Sequence, residues 1–409
     1  MAEAAATPPG QAGTVQLGDD YYQNPHAYFT RMRDKGPATR VMMPYGGPAW
    51  LITRYADVRA ALADPRLHKD WAGKLTSPDW APDEVTAFLN MHLLNTDPPD
   101  HTRLRKLVSK AFTARRVAAL RPRIEAIAVT LLDPLGERLA AGETVDLIEG
   151  FAFPLPVTVI CELLGVPVKD QDQFREWSHA IVADGAGQET LRAAGEGMFR
   201  YFSKLVAEKR ARPADDLVSA LIDARDSGDS LNERELMSML WLLLVAGHET
   251  TANLIASGML ALLTSPAQLA RLRSVPSLLP GAVDELLRYV NPLNHATERF
   301  TLEPVEIGGV TIPAREWVLC VTASANRDPE RFPDADRLDV DRDAGGHVAF
   351  GHGIHFCLGA PLARLEGEVA FGALLSRFPS LSLAASPASL RWRKSSLIHG
   401  LETLPVRLG

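Results

Sequence analysis

The chain has 409 residues, a formal charge of −7 and a hydrophobic fraction of 46%. That composition supports a large core, and the acidic balance argues against nucleic acid as a partner. Its three cysteines, Cys161, Cys320 and Cys357, suggest no disulfide framework, which fits a reducing cytoplasm.

Residues 1–18, MAEAAATPPGQAGTVQLG, lack a basic region followed by an apolar stretch, so they do not read as a signal peptide. They are expected to form a disordered tail ahead of a single domain at 19–409. Arg40 to Tyr55 reads as a hairpin, with VMMP and AWLITRY flanking Tyr45-Gly46-Gly47-Pro48. From about Ala56 to Arg288 the pattern is mostly helical, as in ADVRAALAD, HTRLRKLVSKAF and ALRPRIEAIAVTLLDPLGERLAA. The segment LNERELMSMLWLLLVAGHETTANLIASGMLALL holds no proline and is too apolar for a surface helix, so it is predicted to cross the core. Its uncharged apolar run, Met237 to Gly247, is too short for a membrane span, and His248 and Glu249 follow at once. Beyond Asn291 the pieces turn β-like: ERFTLEPVEIGG, VTIPA and EWVLCVTA, with Gly308-Gly309 as a hairpin turn. The expected fold is mainly α, with a small β-rich part built from both chain ends.

Cys161 and Cys320 lie in PVTVICELLG and EWVLCVTA and read as buried hydrophobes. Cys357 differs. It follows Phe350-Gly351-His352-Gly353-Ile354-His355-Phe356 and precedes Leu358-Gly359-Ala360, at the start of an apolar helix. Free N–H groups near Leu358 and Gly359 would point back at the sulfur and, with the helix dipole, lower its pKa. Gly351, Gly353 and Gly359 let the backbone approach a bulky partner. Such a thiolate suits a large, flat, metal-bearing group; a buried structural cysteine is the plainer alternative. His347, His352, His355 and Cys357 are clustered, but not at the usual paired spacing of zinc ligands.

Three further motifs accompany the cysteine. Ala246-Gly247-His248-Glu249-Thr250-Thr251 places an acid and an alcohol within the long helix, either as a packing kink or as a proton-passing groove. Glu285 and Arg288 are three residues apart, on one helical face. After Asp97-Pro98-Pro99-Asp100, with Asp100 as a plausible N-cap, His101 and Arg105 project from one face.

Together these stretches resemble the cytochrome P-450 superfamily. Its loop pattern of Phe, Gly, any, Gly, any, His or Arg, any, Cys, any, Gly is filled by Phe350, Gly351, Gly353, His355, Cys357 and Gly359. The likeness runs from about Asn24 to Gly409, and VEIGGVTIPA and LETLPVRL look like actinobacterial macrolide and polyketide hydroxylases. The resemblance implies a long central helix over a buried haem b, with Cys357 as the axial iron ligand. It assigns His101, Arg105, Arg299 and His355 to the haem propionates, and Ala246, Phe350 and Gly359 to the haem surface. It makes Glu249 and Thr250 the acid–alcohol pair that passes protons toward O2, leaves His248 non-catalytic, and gives Glu285 and Arg288 a structural role. Arg315 departs from the family pattern, where glycine is common, and is expected to affect only a turn.

The implied activity is monooxygenation of a hydrophobic small molecule, with electrons from a ferredoxin and a ferredoxin reductase using NADPH or NADH. By family position the pocket draws on Leu93, Leu94, Leu242, Val245, Ala246, Leu293, Asn294, His295, Leu397 and Ile398. A lid is expected from Trp71 to Leu94 and around Phe174 to Lys209. A macrolide or related polyketide is the first expectation for the substrate, and a steroid-like or other terpenoid the second. A haem sensor or electron carrier is the alternative of another class, but it would not need Glu249 and Thr250. Residues 101–124 hold eight Lys or Arg and no acid, a solvated face or a docking surface for an acidic electron donor. The protein is expected to be a cytoplasmic monomer without a membrane anchor.

Overall fold

The computed structural model describes residues 14–74, 83–109, 112–226 and 231–409. Helices form most of it. The longest, Glu233–Leu263, has 31 residues and opens with a capping box in which Asn232 and Glu235 bond reciprocally. From Leu236 to Leu262 Ala246 is the one exposed residue, so the helix is enclosed by protein almost all round. Its neighbours include the helices Pro154–Leu164, Leu279–Val290 and Ala360–Arg377. The core is one large helical cluster, from Phe88 to Val406, and two smaller clusters under the sheet.

The strands are β1 (Val15–Gln16), β2 (Ala38–Met42), β3 (Pro48–Ile52), β4 (Leu67–His68), β5 (Val145–Asp146), β6 (Arg299–Thr301), β7 (Val305–Ile307), β8 (Val310–Ile312), β9 (Trp317–Cys320), β10 (Leu381–Leu383) and β11 (Pro405–Leu408). The main sheet runs β1-β2-β3-β9-β6-β4, so both ends of the chain build it, as expected. The Arg40–Tyr55 hairpin is the antiparallel pair β2–β3, with Val41 opposite Ala49. Gly308 and Gly309 turn β7 into β8 at φ +56° and +86°, the left-handed values that a tight hairpin requires. Arg315 adopts φ +62° in the turn before β9, where a glycine would relax without strain.

Three expectations need correction. The tail does not extend to residue 18: β1 pairs with β2, and Leu17 is buried. Residues 1–13 lie outside the described residues, as do 75–82 of the expected lid and Lys110 of the basic run. The central helix is, by length and composition, apolar enough to cross a membrane, but 72% of its apolar window is buried inside the protein. The helix after the cysteine starts at Ala360, with Gly359 as its N-cap, because Leu358 and Gly359 are spent on the turn out of the loop. Asp100 is the first residue of the helix Asp100–Ser109, and its carboxylate accepts a bond from Arg103 at 2.9 Å.

Candidate active site

Cys357 sits at the end of a braced loop. Its N–H donates to the Phe350 carbonyl at 2.8 Å, closing the loop on itself. Gly351 and Gly353 take φ +74° and +76°, and a side chain on Gly353 would meet the Leu62 carbonyl oxygen at 2.9 Å. The Arg105 guanidinium donates to the Phe356 carbonyl at 2.7 Å, and Arg364 lies 4.7 Å above the Phe350 ring. Cys357 as a residue is exposed, yet desolvation of its thiol by the surrounding protein pushes the pKa up. The Gly359 and Ala360 N–H groups, Arg105 and Arg364 oppose that shift. The expected helix-terminus effect is therefore present, but desolvation outweighs it.

Beside the loop lies a cluster of cationic and imidazole groups. His101 and His355 pack with ring centroids 4.2 Å apart, and the Nε2 atom of each is buried without a partner. Burial lowers both rings from ordinary histidine, His355 to about 2. Arg299 is buried, donating to the carbonyls of Leu67 and Leu62 at 3.3 and 3.0 Å and leaving Nε unpaired. Lys69 is also buried and bonds to Thr297; burial and then Arg299 lower its ammonium to about 7. Among the described residues no carboxylate forms an ion pair with Lys69, Arg105 or Arg299. Burying uncompensated cations costs several kcal/mol each, so the cluster is built for anionic oxygens from outside the chain.

Glu285 and Arg288 are both fully buried and joined by two bonds of 2.6 and 2.8 Å. The rest of the Arg288 fork reaches the carbonyls of Asn326, Ala335 and Arg337. Glu285 also accepts from the Asp339 N–H and from Arg342. Asn326 in turn accepts from the Val348 N–H at 2.7 Å, two residues before Phe350. The pair thus fastens its helix to the segment that leads into the cysteine loop. His347 bonds to Asp284, and Arg59 donates to His352, so the loop histidines have separate partners.

On the central helix, Thr250 donates its hydroxyl proton to the Ala246 carbonyl at 2.9 Å, beside the exposed Ala246. Glu249 is buried and turned toward Arg393, which donates to it at 3.1 Å and to Asn253 at 3.1 Å. His179 Nε2 lies 3.2 Å from the other oxygen, outside hydrogen-bond geometry. Burial alone would push this carboxyl up; His179, Arg393 and His248 outweigh it and hold it at about 2. In this pose Glu249 is a carboxylate at neutral pH. His248 is fully buried and shares a contact with the Leu244 carbonyl, in keeping with a packing role.

Two expected pocket segments meet. Leu293 pairs with Ile398 in an antiparallel bridge, and the Asn294 N–H donates to the Leu397 carbonyl at 2.8 Å. Asn294 Oδ1 and His295 Nε2 remain buried without partners. Leu93, Val245 and Ile398 are buried, while Leu94, Leu242 and Leu397 are half-buried.

The model of the family described as Cytochrome P450 matches residues 188–274 and 277–393. Cytochrome P450 107B1 of Saccharopolyspora erythraea is 54% identical over 406 residues, covering 97% of this chain and 98% of that protein. The chain belongs to the cytochrome P450 family. Polyketide biosynthesis cytochrome P450 PksS of Bacillus subtilis is 42% identical, covering 95% of this chain and 97% of its own. The structure of the tirandamycin C-bound P450 monooxygenase TamI matches with TM-score 0.89 and 50% identity, over 97% of this chain and all of that one.

This P450 is therefore a haem-thiolate monooxygenase with haem b as its cofactor, and it needs O2 and an electron donor. Its residues fit that group: a sulfur held at a helix start, unpaired imidazole nitrogens, and buried cations without acids. The motifs did not point to Lys69, His179 or Arg393. A single lysine in HKDW and an arginine near the C-terminus carry no local signal; only the fold puts them beside His355 and Glu249. His92 and Trp241 also stack, at 5.0 Å and 13°, with His92 Nδ1 and Trp241 Nε1 buried and unpaired. They are chain neighbours of Leu93 and Leu242 and add polar atoms beside those apolar residues.

Proposed function

We propose that this P450 hydroxylates a polyketide, a macrolide or a compound of similar size, as a cytoplasmic monomer in secondary metabolism. The observation that carries the reading is the wall formed where Leu293–His295 meets Leu397–Ile398. It presents aliphatic side chains with two unpaired polar atoms, Asn294 Oδ1 and His295 Nε2. A large apolar substrate with a few oxygens matches that ratio. PksS, named for polyketide biosynthesis, and tirandamycin-bound TamI support it.

Cys357 would ligate the iron. His101, Arg105, Arg299 and His355 would hold the propionates, with Lys69 adding charge, and Ala246, Phe350 and Gly359 would pack against the ring. Once bound, the thiolate-ligated haem supplies reductive O2 activation and oxygen insertion. Thr250 then offers a hydroxyl at the exposed notch of the central helix. Glu249 exchanges protons only after leaving Arg393, since loss of that partner raises its pKa.

Electrons would come from a ferredoxin and its reductase, fed by NADPH or NADH. Among the described residues, the exposed Lys106, Arg115 and Arg116 make no ion pair, whereas Arg103, Arg121 and Arg123 pair with Glu235, Glu368 and Glu162. The docking surface is therefore narrower than the basic run.

A spin-state titration of the haem-loaded enzyme tests the substrate class. Macrolides or linear polyketides should shift the Soret band at micromolar concentration. A shift with steroids and none with polyketides would overturn the proposal.

A further inference from the structure

Away from the Cys357 loop, the second half of the central helix walls a recess of about 240 Å³. An engineered cavity of about 150 Å³ is enough to bind benzene, so this recess has room for one or two fused rings. Its other walls come from Gln23–His26, the end of the helix Leu279–Val290, Arg327, and the segment carrying Trp392 and His399.

Three features mark it as a built site. First, Trp392 and His399 stack at 3.9 Å and 11°, making a flat aromatic shelf, with His26 edge-on to His399 at 5.8 Å. Gln23 pins the shelf, donating to the Trp392 carbonyl and accepting its N–H. Second, Ser257 is 3% exposed and lines the recess, and its hydroxyl has no partner. Third, Arg327 lies 4.3 Å above the Tyr289 ring and donates to the Tyr289 carbonyl; its ion pair with Asp336 is 3.4 Å long, and Asp336 is largely exposed.

The charge balance selects the ligand. Among the described residues no Asp or Glu lines the recess. Burial holds His26 and His399 far below ordinary histidine, so both are neutral at pH 7. Among the described residues Arg327 is then the one charge on the walls, and it is desolvated. A desolvated guanidinium with a weak, solvent-facing partner favours a carboxylate and disfavours an ammonium. The stacked pair supplies aromatic contact for a ring at its outer surface.

We propose that this recess, separate from the haem site, binds a planar aromatic carboxylate of one or two rings. The ring lies on the Trp392–His399 shelf, the carboxylate meets Arg327, and the Ser257 hydroxyl donates the remaining hydrogen bond. The recess backs onto the substrate wall: His399 follows Ile398, and its N–H donates to the Pro292 carbonyl at 2.8 Å, beside Leu293.

The test is calorimetric titration of haem-loaded enzyme with 2-naphthoate, the Soret band being followed in parallel. Binding at sub-millimolar concentration without a spin-state shift is expected. The isosteric 2-naphthylmethylamine should bind at least ten-fold more weakly. Ser257→Leu, which fills the recess, and Thr264→Trp, which covers it from an exposed helix end, should each weaken 2-naphthoate at least ten-fold. Both should keep the carbon monoxide spectrum, which shows the fold intact if one variant is poorly expressed. Absence of binding, equal binding of the amine, or binding that both variants retain would each overturn the proposal.

Discussion

Two ion pairs, each with a buried carboxylate, divide the molecule. Glu285–Arg288 is fully enclosed, doubly bonded, and has its remaining guanidinium donors on backbone carbonyls. Glu249–Arg393 rests on one bond of 3.1 Å, leaves Arg393 Nε unpaired and has His179 off-line. The first pair holds the segment leading to Cys357; the second joins the central helix to the segment leading to Leu397 and Ile398. A ligand loop that must keep a sulfur in place is over-determined. A relay that must take up and release protons is held by fewer bonds. Gly400 serves the second pair by leaving space, since a side chain there would meet Asn253 Oδ1 at 2.0 Å and Arg393 at 2.7 Å.

Arg288→Gln should break the comparison most severely. It takes two bonds from the buried Glu285 carboxylate, leaving it the Asp339 N–H and Arg342, and removes a donor from three carbonyls, a loss of about 3–5 kcal/mol for a buried pair deprived of one partner. Little haem-loaded protein should be recovered, and the haem-to-protein ratio and the urea midpoint read this directly. A variant with normal haem content and midpoint would show that the pair does not support the loop.

Thr250→Ala comes next and leaves folding alone, because the hydroxyl bonds only within its own helix. Loss of a positioned proton-transfer group typically costs about 10²-fold or more in its step. Product formed per NADPH consumed should fall while electron uptake continues. Unchanged coupling would remove Thr250 from the relay.

Arg393→Gln sharpens the contrast through pH. Glu249 is lowered from 4.5 to about 2, so its contribution to stability is complete above about pH 4.5 and lost as pH falls toward 2. Removing Arg393 raises the folded pKa and shrinks that contribution, by about 1–2 kcal/mol on the scale of one pKa unit per 1.4 kcal/mol. Melting temperatures between pH 2 and 7 should show a wild-type acid limb that is shallower in the variant. Arg288→Gln should lower the whole profile instead.

The two regions were unequally legible in the sequence, and the reason is contact distance along the chain. Glu285 and Arg288 share a helical face by spacing alone, and Cys357 sits within its own glycine turn, so a short window shows both. Their burial is tertiary: a three-residue charge pair looks the same on a surface. Glu249 meets Arg393 across 144 residues, which no local pattern reveals. The motif therefore identified the acid but not its charge state, which is set by partners outside the helix. Lys69 was missed for the same reason. The early start of the fold at Val15 went unread because two residues are too few to show alternation, and they become a strand only against β2.

The smallest effect should come from the surface. Lys106→Glu and Arg116→Glu remove charges that contact no acid among the described residues, so stability should stay within about 0.5 kcal/mol. If the electron donor docks on this face, reduction should slow by up to about ten-fold at low ionic strength. The deficit should shrink as salt screens the wild-type attraction, because the Debye length falls to about 8 Å at 0.15 M. Arg123→Glu is the internal control: its guanidinium is already paired with Glu162. It should slow reduction less than Lys106→Glu, although it lies in the same basic run. Equal effects of the two reversals would mean that net charge steers the donor, and that the unpaired side chains do not form a distinct contact.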